Sequence, residues 1–178
     1  MISKVRAVSL IVVVLVVGLH APAQESTDQD NPHFQHKTGS TPMDHEAMME
    51  RGEKGMRFSQ TKTTHHFLLK SDGGVIVVSA NDAKDSATRD QIRMHLSHIA
   101  RSFSEGDFDI PMFVHDQMPP GVAVMKRLRR AIHYRFTPTD MGGQVVVSSD
   151  SPEAVEAIHE FLSFQMQEHK TGDPLKVE

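Results

Sequence analysis

Apolar and polar positions along the chain fall into two periodicities, two residues and three to four residues, and the periods switch twice. Thr64–Ser71 (THHFLLKS) reads as a strand with His65, Phe67 and Leu69 on one side. Asp72-Gly73-Gly74 reads as a hairpin turn, because Asp-Gly reaches positive φ at little cost, and Val75–Ala80 returns as a second strand. In Thr88–Phe103 the apolar residues Ile92, Leu96, Ile99 and Phe103 recur at spacings of four, three and four, the stripe of an amphipathic helix. Gly106–Met118 is less regular, Pro119-Pro120-Gly121 breaks the chain, and Val122–Arg130 reads as a short helix.

The pattern then repeats. Ala131–Pro138 is a third expected strand, Met141-Gly142-Gly143 a turn and Gln144–Ser149 a fourth strand. Ser151 and Pro152 suit the N-cap and first position of a last helix that runs to about His169 and buries Ala154, Ile158, Phe161 and Leu162. The order ββα-ββα predicts an α+β fold: a four-stranded, mainly antiparallel sheet with two long helices on one face. Gly-Gly at both hairpins and valine-rich return strands (VIVV, VVV) suggest an internal duplication.

Residues 59–172 make up this single expected domain, with 173–178 as a tail. Residues 1–23 read as a signal peptide: Lys4 and Arg6 form a basic start, Leu10–Leu19 is apolar but short for a membrane span, and Ala21-Pro22-Ala23 is a cleavage signal. Residues 24–58 are polar and read as a disordered tether, with a short helix conceivable over Asp44–Met56. The expected location is the periplasm or the exterior, with no membrane insertion once the leader is cut after Ala23. The leader holds two basic residues and no acid, so its loss takes the formal net charge from −4 to −6. A mildly acidic chain argues against nucleic acid as the main partner.

Composition changes the picture in one respect. The 178 residues include 12 His and 11 Met but no Cys. Without thiolates, an exported chain has imidazole and thioether left for gripping soft or borderline ions. His65 on its strand, and Met94, His95 and His98 on one flank of the first long helix, are a candidate set: three imidazoles suit copper or zinc. Met112-x-x-His115-x-x-Met118 and the run Met43-Asp44-His45-Glu46-Ala47-Met48-Met49 are further soft-donor candidates, with Met112, His115, His45 and Met48 as auxiliary ligands. The expected role is metal sequestration or delivery, copper ahead of zinc, with no organic cofactor. The alternative is a non-metal binding or interaction module, including a homodimer, that uses an open sheet face bearing His66, His133 and Arg135. Each set also has a plain structural reading: core imidazole, gap-filling methionine, solvated face.

The chain has no Gly-x-Ser-x-Gly elbow, no phosphate loop, no paired-glycine dinucleotide fingerprint and no cysteine nucleophile, so the reading leans away from an enzyme. The run KTTHHFLLKSDGGVIVVSANDAKDSATRDQIRMHLSHIARSFSEGDFDIPMFVHDQMPPGVAVMK, with GGQVVV and HEFLSFQMQEHKTGD, resembles a family of small exported bacterial proteins of unestablished function, over about residues 52–173. Some members carry the label aspartate carbamoyltransferase. That enzyme is a two-domain cytosolic protein whose phosphate loop reads Ser-Thr-Arg-Thr, and the nearest echo in this chain is Ser86-Ala87-Thr88-Arg89. The resemblance implies export and a single domain, and carries no catalytic residue across.

Overall fold

A computed structural model describes residues 42–178. The expected leader over residues 1–23, with its expected cleavage site, lies outside the described residues. The chain runs through helix α1 (Pro42–Met56), strands β1 (Thr63–Lys70) and β2 (Gly73–Ala80), helices α2 (Ser86–Glu105), α3 (Asp109–His115) and α4 (Val122–Arg127), strands β3 (Ile132–Pro138) and β4 (Gly142–Ser149), and helix α5 (Pro152–Glu168). Single 3-10 turns at Gln60–Lys62 and Arg129–Ala131 lead into β1 and β3. The four strands form one antiparallel sheet in the order β1-β2-β4-β3, so the fold is α+β.

The register explains the alternation in the sequence. One row across the buried face is Phe67–Ile76–Val145–Phe136, the next is Leu69–Gly74–Val147–Tyr134, and His65 pairs with Val78 in the third. Against these rows pack Ile92, Leu96, Ile99 and Phe103 of α2 and Ala154, Ile158, Phe161 and Leu162 of α5, all buried. Both apolar stripes are therefore where the 3.6-residue period places them. Asp85 caps α2 by accepting from the Thr88 amide at 3.0 Å and the Thr88 hydroxyl at 2.8 Å, so the helix starts before the apolar stripe does. Ser151 sits at the N-cap of α5 but makes no capping hydrogen bond through its side chain.

Three expectations are corrected. The glycine pairs belong to the strands, not to the turns. Gly73 has a φ of +147°, and a Cβ there would lie 2.2 Å from the Val147 carbonyl oxygen; Gly142 would meet that of Val78 at the same distance. Close approach of β2 and β4 is what both positions need. The irregular stretch after Gly106 contains α3. Finally, the tether does not extend to residue 58: residues 42–56 are helical, Met48, Met56 and Phe58 are buried, and Gly55 of α1 lies against Ile110, Phe113 and Val114 of α3. The Arg51 Nε donates to the Val114 carbonyl at 2.9 Å, which ties α1 to the end of α3. Among the described residues no helix is long and apolar enough to cross a membrane.

Candidate functional site: a histidine-lined cavity

At the β1 corner the sheet, α2, α3 and α5 leave a cavity of ≈ 70 Å³, room for several water molecules or one small ion and its ligands. Four imidazoles line it, from His65 on β1, His95 on α2, His115 at the end of α3 and His169 just beyond α5, together with Gln165 and Met56. The rest of the lining is apolar, and no acidic side chain belongs to it.

Each imidazole is there for a local reason. His65 is on the face shared by Phe67 and Leu69, so strand alternation turns it inward. His95 flanks the buried stripe next to Leu96. His115 is the last residue of α3, before Asp116 takes φ +52° and ends the helix. Gln165 and His169 continue the apolar stripe of α5, at three- and four-residue steps from Phe161 or Leu162.

The rings stand close together. His65 and His169 are nearly parallel with centroids 5.7 Å apart, and His115 and His169 meet edge to face at 5.2 Å. Phe58 closes one side, 6.1 Å from His65 and 5.5 Å from His95. Two imidazoles bound to one ion at about 2 Å have centroids about 5–6 Å apart, so these spacings match shared coordination. The donor nitrogens are not gathered on one point, however: among the described residues no group of three His, Cys, Asp or Glu side chains is set to hold an ion. Ring rotation would have to bring them together.

Several nitrogens at this corner lack a partner among the described residues. The Nε2 of His65, the Nδ1 of His115 and the Nε2 of Gln165 are buried and accept or donate no hydrogen bond, and the Nδ1 of His45 on α1 is in the same state. Such atoms are costly to leave unsatisfied, and a ligand can supply what they lack. The Nε2 of His115 donates to the Gln165 Oε1 at 3.0 Å, which leaves Nδ1 carrying the lone pair. An outer amide that fixes a histidine tautomer in this way is a common accompaniment of metal ligation.

Burial also keeps the rings neutral. It pushes His65 and His95 down to about 4 and His169 to about 3, with neighbouring imidazoles adding to the effect. His115 is lowered as well, by burial first, against the Gln165 hydrogen bond and with help from the Arg51 charge. At neutral pH all four offer a lone pair.

Of the residues singled out by sequence, the structure brings His65, His95 and His115 to the cavity. It does not bring Met94, which is 70% exposed, or His98, which is exposed on the outer flank of α2. The reason is angular: His95 is turned inward, and its neighbours at 94 and 98 share a flank that points away. Met112 is half-buried and does not line the cavity, Met118 is 53% exposed, and Met48 is a core residue. His45 is half-buried and near enough that its charge weighs on His169. On the opposite sheet face, the His66 Nδ1 is hydrogen-bonded to the Asp173 Oδ1 at 2.8 Å, while His133 and Arg135 are exposed on edge strand β3.

His169 and Gln165 were missed, and the signal for both was a polar residue falling on an apolar helical stripe. Met56 follows the Met/His run of the sequence, and its burial depends on how α1 docks. No protein-family model, no curated protein and no solved structure matches this chain.

Proposed function

We propose that this is a metal-binding protein whose ordered site is the cavity between His65, His95, His115 and His169, with copper preferred to zinc and sequestration or delivery as its role. The observation that carries the reading is the gathering of four neutral imidazoles, from four separate elements, around one cavity with buried nitrogens that no protein group satisfies. Core packing gives no reason to place four such rings together. The leader-like start of the chain and the resemblance to small exported bacterial proteins support a place in the cell envelope, where such ions are met.

The test is stoichiometry. The untagged protein is reconstituted with Cu(I) without oxygen, and with Cu(II) or Zn(II) in air, then desalted and assayed for bound metal. One ion per chain is expected, lost in a His65→Ala/His169→Ala variant whose circular dichroism is unchanged, and retained in Met94→Ala/His98→Ala. No bound ion, or an ion indifferent to His65 and His169, would overturn the reading.

A second reading has its own observation. On the outer face Leu68, Val75 and Val146 pair in one row, with Val77 in the next, and all four are half-buried although no helix or strand among the described residues covers them. This band beside Arg135 suits a homodimer or a partner surface. Sedimentation of wild type against Val146→Lys tests it: a dimer that the substitution splits supports it, and a wild-type monomer retires the homodimer.

A further inference from the structure

The donor set determines which charge the cavity can accept, and the inference that follows rests on the metal-binding reading above. Among the described residues every group that lines the cavity is uncharged: four imidazoles, one amide, the Met56 thioether and hydrocarbon. None of these neutralises an incoming cation. The Arg51 guanidinium, held against the Val114 carbonyl, has the wrong sign for a cation, and its field reaches His115.

The work of placing an ion in such surroundings rises with the square of its charge, so a dication costs about four times as much as a monocation. Zinc sites offset that cost with thiolates or carboxylates, or with a bound hydroxide in contact with water. Ring nitrogens and a thioether are soft enough for Cu(I), which also tolerates low coordination numbers. The near-parallel rings of His65 and His169, with His115 edge-on to the second, suit two or three ligands better than a closed set of four.

We propose that the cavity selects Cu(I) and rejects Zn(II) and Cu(II) by leaving the charge of the bound ion uncompensated. Selectivity of this kind is reversible by a single charge. Gln165 faces the cavity and touches His115, so Gln165→Glu would put a carboxylate next to the ion. Arg51→Gln would remove the opposing positive charge from outside the lining.

The experiment compares affinities in oxygen-free buffer, using bicinchoninate to compete for Cu(I) and a chromophoric pyridyl-azo chelator to compete for Zn(II). Wild type is expected to bind Cu(I) with far lower Kd than Zn(II). Both Gln165→Glu and Arg51→Gln should move the Zn(II)/Cu(I) affinity ratio towards zinc, the first by roughly tenfold or more and the second by less. The two variants guard against one that fails to fold. Zn(II) binding as tight as Cu(I) in wild type, or ratios unmoved in both variants, would overturn the inference and leave the metal site standing. No binding of either ion would overturn the site and this inference with it.

Discussion

The buried face of the sheet has two diagonally opposite corners, and the chain treats them differently. At the β3 corner Tyr134 packs edge-on to Phe103 at 5.9 Å, Phe103 stacks on Phe108 at 4.3 Å, and Phe161 meets both at 5.8 and 5.9 Å. Phe108 is fully buried, while Phe103 and Phe161 also line the histidine-bearing cavity. At the β1 corner His65 takes the place of the aromatic, and the rings around it leave a cavity. Both corners belong to one sheet packed against α2 and α5, but the first takes its strand residue from β3 and the second from β1. Among the described residues the aromatic corner leaves one buried polar atom, the Tyr134 hydroxyl, without a partner, whereas the histidine corner leaves the His65 Nε2, the His115 Nδ1 and the Gln165 Nε2 so, around open space. Residues that weaken a fold locally in this way mark a site for something else.

Substitutions can break this comparison, and the largest effect should fall on the aromatic corner. Phe108→Ala should cost about 3–5 kcal/mol, as for other large core deletions. His65→Leu should change stability by no more than about 1 kcal/mol, since it removes a side chain whose buried Nε2 has no partner among the described residues, at similar volume, yet it should abolish metal binding. Urea melts of both variants check the contrast, and an equal loss in the two would erase it.

The next effect is on pH dependence. His65, His95 and His169 are held below their ordinary value in the folded state, so the unfolded chain binds more protons between about pH 6.5 and pH 4. Stability of the metal-free protein should be complete above pH 6.5 and fall as the pH drops through that window, by on the order of 1 kcal/mol per pH unit for each ring. A triple leucine variant at these positions should flatten the slope, and changes at the aromatic corner should leave it intact. Denaturation midpoints at pH 7 and pH 4.5 supply the measurement.

A smaller effect distinguishes the pair that holds the tautomer. Gln165→Leu alone leaves His115 without its acceptor and should cost about 1–3 kcal/mol; adding His115→Leu should recover most of that. A double-mutant cycle with no coupling would mean that the hydrogen bond has no role at this corner. Smallest is the clamp on the strand edge. Asp173 accepts from His66 and from the Phe67 amide at 2.9 Å, just after His169 leaves α5. Asp173→Ala should lose about 1 kcal/mol and speed hydrogen exchange at Phe67.

How much of this was readable in advance depends on the range of the interaction. The strand faces of His65 and Tyr134, and the stripes through Ile92–Phe103 and Ala154–Leu162, follow from local periodicity, and the sheet follows from them. The cavity does not, because it depends on the ends of elements. His115 ends α3, which the Gly106 to Met118 segment did not announce, and His169 lies past the last turn of α5. Met56 reaches the cavity only because α1 docks on α3 through Gly55 and Arg51, contacts between residues about sixty apart. His98 is not at the cavity because it shares the outward flank of Met94, whereas His95 turns inward beside Leu96.

The most direct measurement is anomalous diffraction at the copper edge from crystals grown with Cu(I) without oxygen. A single peak is expected within bonding distance of at least two of the ring nitrogens of His65, His95, His115 and His169, with no acidic ligand. A peak on the outer flank of α2 at Met94 and His98, or no peak in the folded domain, would contradict the account.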